Sequence, residues 1–219
     1  MADQSETPAG DPVGGRRPTS HEQRTGQPWD TFYRDGRAPW DIERPQPAFS
    51  TLASEGAFTG AVLDAGCGTG EHALLAASLG LPALGVDVAE TALAAAREKA
   101  ANRGIKAGFE TADALHFERL GRKFQTVLDC GLLHTFNADE RPEYVASLAA
   151  VTEPGSMLYI LCFSNQGSDI GPHPVTEQEI RTAFDSTTGW NVVTLSPNFI
   201  HTRFHPDGAS AWLATIKRI

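Results

Sequence analysis

The chain is short of several things, and each shortage removes a class of protein. Only three cysteines occur in 219 residues, Cys67, Cys130 and Cys162. They are widely spaced, fit no CxxC pattern and sit among apolar neighbours, so neither a zinc ribbon nor a disulfide scaffold is implied. They read as reduced thiols of a cytoplasmic protein. Basic charge is scarce as well: 18 Lys and Arg against 27 Asp and Glu leave a formal net charge of -9, with no dense Lys/Arg run to compensate locally. That argues against nucleic acid as a partner. No run of about 18 apolar residues offers a membrane span, and the N-terminus lacks the basic-then-apolar order of a signal peptide. A soluble, cytoplasmic protein with no membrane partner is expected.

What remains is enough for one core. With 41% hydrophobic and 21% charged residues, a single folded domain is expected over residues 28–219. Residues 1–27, MADQSETPAGDPVGGRRPTSHEQRTGQ, carry almost no large apolar side chain. Burial there cannot offset the entropy of ordering, and a disordered tail is expected. Residues 28–58 change character, with Trp29, Phe32, Tyr33, Trp40 and Phe49 making an aromatic arm. Two readings stand for it: packing on the core, or a lid over a ligand site.

From Ala61 onward, apolar runs of strand length (AVLDA, PALGVD, KAGFE, FQTVLDC, SMLYILCF) alternate with helical stretches (EHALLAASL, AETALAAAREKAANR, ADERPEYVASLAAV). Helical crossovers of this length join parallel strands, and strands apolar on both faces are covered on both, which predicts a doubly wound α/β sandwich. VTEQEIRTAF predicts a further helix with Thr176 as N-cap and Glu179 completing a capping box. WNVVTLS and SAWLATIKRI then predict an antiparallel closing pair.

The most informative stretch is VLDAGCGTGEH. Gly66, Gly68 and Gly70 follow a strand and open a helix, a turn that lets backbone approach a bound group beside a helix amide end. The GxGxG spacing differs from the GxGxxG of dinucleotide sites, Asp64 precedes the turn, and Asp87 ends the next strand. Asp87 is placed to accept from both ribose hydroxyls. Asp64 would be repelled by a pyrophosphate but attracted by an ammonium group, so the pattern favours a cationic cofactor.

VLDAGCGTGEHALLAA, ALGVDVAETALAAAREKA, TADAL and FQTVLDCGLLHTF in this order resemble the successive motifs of class I S-adenosylmethionine-dependent methyltransferases. The resemblance spans roughly Ala61 to Phe163. It implies a Rossmann-like sheet of seven strands with the last antiparallel, in a three-layer α/β/α sandwich. S-adenosylmethionine is the implied cofactor. Asp64, Ala65, Gly66, Cys67, Gly68 and Gly70 would line its methionine part, Asp87 with Val88 its ribose and adenine edge, and Asp113 with Ala114 its adenine. Asp129, Cys130 and Gly131 would end the fourth strand beneath the sulfonium.

FYRDGRAPWDIERPQPAFSTL and LDCGLLHTFNADERPEYVASL resemble the thiopurine, thiol and halide methyltransferase group and actinobacterial enzymes that methylate small heterocycles, including heterocyclic toxin methyltransferases. In that group the arm folds over the cofactor, which singles out Tyr33, Gly36, Pro39 and Trp40. Its members use sulfur, oxygen, nitrogen and halide acceptors, so a small-molecule acceptor is implied and its reacting atom stays open. The protein is expected as a monomer or homodimer.

His134 follows the fourth strand and is the candidate for orienting or deprotonating the acceptor; a helix cap or a backbone hydrogen bond is its other reading. Arg141 stands either near the substrate or as a solvated helix charge. GSDIGPHPVT and FIHTRFHPDG are expected to build the acceptor pocket, with His173, His201, Arg203, Phe204 and His205 as lining. These histidines match no metal-ligand spacing, and no metal is expected. Two other function classes fit the fold: a non-catalytic cofactor-binding or interaction protein, and an NAD-dependent oxidoreductase, the latter disfavoured by the turn spacing and Asp64.

Overall fold

Residues 15–34, 36, 38–166 and 173–219 are described by the computed structural model. Three short helices come first, α1 (Ser20–Thr25), α2 (Trp29–Arg34) and α3 (Pro47–Ser54). Strands and helices then alternate through β1 (Val62–Ala65), α4 (Glu71–Ser78), β2 (Ala83–Asp87), α5 (Glu90–Arg103), β3 (Gly108–Thr111), β4 (Thr126–Cys130), α6 (Glu140–Ala150) and β5 (Met157–Phe163). The chain ends with α7 (Glu177–Ala183), β6 (Trp190–Ile200) and β7 (Ala209–Arg218).

The seven strands form one sheet in the order β3-β2-β1-β4-β5-β7-β6, with β7 antiparallel to both its neighbours and the other pairs parallel. The α/β architecture and the antiparallel last strand agree with the expectation. The chain builds outward from β1 to β3, then returns to the other side of β1 with β4. That reversal opens a crevice beyond the carboxyl ends of β1 and β4, where ligands bind in such sheets. Register aligns those ends, since Ala65 pairs with both Val86 and Asp129.

Strand alternation sends neighbouring residues to opposite layers. Leu63 and Ala65 join Val127, Leu158 and Ile160 beneath Tyr144, Val145 and Leu148 of α6. Val62 joins Leu128, Tyr159 and Leu161 beneath Phe49 of α3 and Phe58. A fully buried Leu contributes about 1.5–3 kcal/mol, so these two layers fix the strand ends on which the crevice depends. The capping box predicted at Thr176 and Glu179 is present in both directions.

Disorder through residue 27 is corrected over residues 15–27. Thr19 and Glu22 form a capping box at the start of α1, and Gly26 closes the helix in the left-handed region. Glu22 also accepts from Arg16 and from the Trp29 N–H. Ser20 donates its N–H and its hydroxyl to the Glu140 carboxylate at 2.6 and 2.5 Å. Charge-assisted bonds to a buried carboxylate replace the apolar burial that the segment lacks. Residues 1–14, and the GSDIGP part of the predicted acceptor loop at 167–172, lie outside the described residues.

Candidate active site

A cavity of about 360 Å3 occupies the crevice. Gly66, Cys67 and Gly68 of the turn, Asp87 at the end of β2 with Val88 beyond it, Asp113 and Ala114 beyond β3, and Cys130 and Gly131 at the end of β4 all line it. Tyr33, Pro39 and Trp40 of the arm line it from the other side. Asp64, Ala65, Gly70 and Asp129 stand behind the surface. Gly70 is required by packing: its φ is +84°, and a Cβ there would meet Phe109 at 2.6 Å and Ala96 at 2.8 Å. Gly36 is exposed and is not part of the lining.

Three carboxylates end three adjacent strands. Asp87 accepts the Gly68 N–H at 2.8 Å and the Ala89 N–H at 2.9 Å, one on each oxygen. Each oxygen keeps a second lone pair for a ligand hydroxyl. Burial raises its pKa. Asp129 accepts from the N–H groups of Leu132 and Leu133 and from the Tyr144 hydroxyl, and burial pushes it up to about 6. Asp64 accepts the Ala73 N–H at 2.9 Å through Oδ2, whereas its Oδ1 is buried without a hydrogen-bond partner. Burial first, then the neighbouring Asp87 and Asp129, push Asp64 up to about 7. Among the described residues none of the three is ion-paired to Lys or Arg. Raised carboxylates without a cation make a floor that favours a positively charged ligand.

The arm is held down by polar contacts to the glycine turn and to α5. Trp40 Nε1 donates to the Tyr33 hydroxyl at 2.8 Å. Asp30 accepts the N–H and hydroxyl of Thr91 at the start of α5. Thr69 of the turn donates to Asp41 at 3.0 Å and accepts from Lys99 at 2.7 Å. Aromatic contact completes the cover: His21 stacks on Trp29 with centroids 4.3 Å apart, and the Trp40 ring meets Trp29 at 5.8 Å and Phe32 at 5.5 Å. His21 and Thr19 line the cavity although both lie in the segment expected to be disordered. The spacing Thr19-x-x-Glu22 was the readable signal for them, and it lacks the apolar run that usually follows a capping box.

His134 lines the cavity just beyond β4 and is 8% exposed. Its Nδ1 accepts the Phe163 N–H at 3.4 Å, so the ring proton belongs on Nε2. Burial, followed by the charges of His173, His21 and Arg141, pushes its pKa down to about 3. The ring is a neutral donor through Nε2, which separates the two roles expected of it: orientation fits this tautomer, and proton abstraction does not. His173, His201, Phe204 and His205 also line the cavity, with Phe204 at its rim 76% exposed. Arg203 is absent from the lining; its backbone N–H donates to Pro39 and ties this loop to the arm. Arg141 pairs with Glu179 at 2.5 Å and lines an adjoining space of about 210 Å3 together with His134 and His173. No group of His, Cys, Asp and Glu among the described residues has a metal-site arrangement.

A doubly wound sheet with a glycine turn, a second-strand acid and a cationic preference defines a Rossmann-like cofactor-dependent enzyme. A family model described as a methyltransferase domain matches residues 62–155. The chain is 38% identical over 165 residues to a 2-heptyl-1-hydroxyquinolin-4(1H)-one methyltransferase of Mycobacteroides abscessus, covering 74% of this chain and 72% of that protein. It is 36% identical, with a TM-score of 0.77, to the solved structure described by the conversion of a disulfide bond into a thioacetal group during echinomycin biosynthesis, covering 87% of this chain and 91% of that one. In fold it is also similar, with a TM-score of 0.61 at 22% identity over 78% of this chain and 80% of that one, to the magnesium protoporphyrin IX methyltransferase of Synechocystis with bound S-adenosylhomocysteine. The chain belongs to the class I S-adenosylmethionine-dependent methyltransferases, and S-adenosylmethionine is its cofactor. The residues present fit that group: uncharged glycine backbone, the part-buried Asp87 on the wall, the buried Asp64 and Asp129 behind it, and a buried carboxylate oxygen lacking a partner suit a ligand carrying ammonium and sulfonium charges. Among the described residues no helix is long and apolar enough to cross a membrane.

Proposed function

We propose that this methyltransferase acts on an oxygen, sulfur or nitrogen atom of a small aromatic or heterocyclic acceptor held between the strand ends and the aromatic arm. The observation that carries the reading is the cover of His21, Trp29, Tyr33 and Trp40 closing a cavity whose floor is acidic. Flat rings gain both apolar contact and ring-ring geometry under such a cover. S-adenosylmethionine, when bound, supplies an electrophilic methyl group on a sulfonium.

The chain's own residues supply position and dryness. Asp87 would hold the ribose hydroxyls, with Val88, Asp113 and Ala114 around the adenine. Gly66, Cys67, Gly68, Cys130 and Gly131 would surround the methionine portion, and Asp64 would act on its ammonium from behind the turn through charge. Trp40 and Tyr33 exclude water above the reacting atoms, and His134 Nε2–H orients the acceptor. In-line transfer needs an acceptor atom held about 3–3.5 Å from the carbon, so positioning supplies much of the rate. A thiol or acidic hydroxyl ionises near neutral pH without help, which suits a site whose central histidine is not a base. His173 and Phe204 would bound the acceptor, with Arg141 one layer further out.

The relatives' names lend support: one is a methyltransferase of a hydroxyquinolinone, and another belongs to sulfur chemistry in echinomycin biosynthesis. A cytoplasmic protein, monomeric or homodimeric and without a nucleic-acid partner, suits three free cysteines and a net charge of -9. A panel of thiols, phenols, hydroxyquinolones and halides, read by formation of S-adenosylhomocysteine, tests the reading. Turnover with halides alone, and none with any aromatic acceptor, would overturn it.

A further inference from the structure

His72 sits in the first turn of α4, next to the turn glycines, and its sequence context of EHALLAA marks it as an ordinary helical residue. Its surroundings are not ordinary. Nε2 accepts the Gln46 backbone N–H at 3.1 Å, so the ring proton belongs on Nδ1. Nδ1 faces Asp64 Oδ1 at 4.0 Å, and that oxygen is the buried one without a partner. Phe49 packs edge-on against the ring, with centroids 4.8 Å apart.

Gln46 carries the connection onward. It is 3% exposed, and its side-chain amide pairs in both directions with the His201 backbone, donating to the carbonyl and accepting from the N–H, each at 2.8 Å. His201 leads into Thr202, Phe204 and His205, which line the cavity. His72 and Gln46 also line the cavity, so one continuous path runs along its wall from the acid beneath the donor turn, through the helix and the arm, to the loop over the acceptor.

We propose that His72 is a positioning residue that couples the methyl-donor floor to the acceptor cover, turning its Nδ1–H toward Asp64 on one side and holding Gln46, with the His201 loop attached, on the other. A cation drawn to the floor favours charge on Asp64. That charge strengthens the pull on Nδ1–H across a gap too wide for a hydrogen bond, and closing the gap draws the arm and loop inward. Such coupling is reciprocal: a cover settled by an acceptor must tighten donor binding by the same factor. The inference rests on the placement of the donor above Asp64.

Hydrogen exchange on the full chain with S-adenosylhomocysteine as the probe tests it. In the wild type the probe is expected to slow exchange at Gln46 and across residues 201–205. In His72→Phe, which keeps a ring and loses both nitrogens, the probe's affinity is expected to fall about tenfold and its protection of 201–205 to vanish. Gln46→Ala keeps the backbone donor to His72 and cuts the amide pair with His201, so it too is expected to lose the probe-dependent protection at 201–205; it decides the matter if His72→Phe does not fold. A purely structural His72 would lower stability and leave the probe-dependent protection unchanged, and that result overturns the proposal. Asp64→Asn separates the two levels: undiminished probe affinity there sinks the donor placement, whereas normal wild-type binding with full protection in Gln46→Ala sinks the coupling alone.

Discussion

The Tyr33 hydroxyl lies 2.9 Å from the point at which a Cβ on Gly68 would stand. Arm and glycine turn are thus in contact through an atom that is missing, and Gly68 holds a φ of +51° that an L side chain adopts at a cost of about 1–2 kcal/mol. Gly68→Ala is expected to displace Tyr33 and, with it, the Trp40 N–H that it accepts. Titration calorimetry should show weaker S-adenosylmethionine binding by at least that amount, and tryptophan emission should shift to the red. Unchanged affinity and emission would remove the contact from the site.

Asp87 offers the most direct measure of the ribose assignment. Asp87→Ala removes an acceptor for two possible hydroxyl bonds and also strands the Gly68 and Ala89 N–H groups. A loss of about 1–3 kcal/mol in cofactor affinity is expected, the range for charge-assisted hydrogen bonds. Affinity equal to wild type would refute the assignment.

Cofactor binding should release protons near neutrality. Asp64 stands at about 7 in the fold against an ordinary 3.8, so its contribution to folding is present below 3.8 and is lost as pH rises through about 7. A cation above it favours the ionised form and reverses that cost. Affinity should therefore rise with pH and level off above about 7. Calorimetry in two buffers of different ionisation enthalpy would count the protons, and a flat pH dependence with none released would exclude Asp64 from the linkage.

Little of this was hidden in the sequence where periodicity or spacing governs. The glycine turn, Asp87 and Asp113 follow from where strands end, and β1, β2, β4 and β5 are apolar runs whose burial leaves them no alternative. Spacing cannot tell a glycine that makes room for a cofactor from one, like Gly70, that makes room for Phe109. A strand-end acid such as Asp64 or Asp129 is legible, but whether its oxygens face the cavity or a neighbouring N–H is decided by the turn that follows. α1 is less legible because its local capping box stands without an apolar run and its further anchor, Glu140, is about 120 residues away, outside any local window. Gln46 and His72 escaped because backbone partners leave no pattern in side-chain chemistry.

His134 provides a test against acid-base catalysis. With a pKa of about 3 in the fold and 6.5 unfolded, the ring supports folding above 6.5, and that support is lost as pH falls from 6.5 toward 3. Between about pH 5 and 8 it stays neutral, so the kcat profile should carry no inflection from it. His134→Ala should lower kcat by about ten- to a hundredfold, consistent with losing a hydrogen bond to the acceptor, while donor affinity stays within about twofold. An inflection near 6.5 that disappears in His134→Gln would show the opposite.

Ser20 and Glu140 give the N-terminal segment a bearing on how the protein is handled at the bench. A chain trimmed to begin at Pro28 would keep every strand of the sheet, yet Glu140, only 4% exposed, would lose both donors from Ser20. Trp29 would lose the stacked ring of His21 in the same cut. Such a fragment is expected to purify as a folded protein and to admit an aqueous quencher to Trp29 that the longer chain keeps out. Its weak turnover would then be misread as a poor choice of substrate, when the fault lies in a vessel missing its stopper.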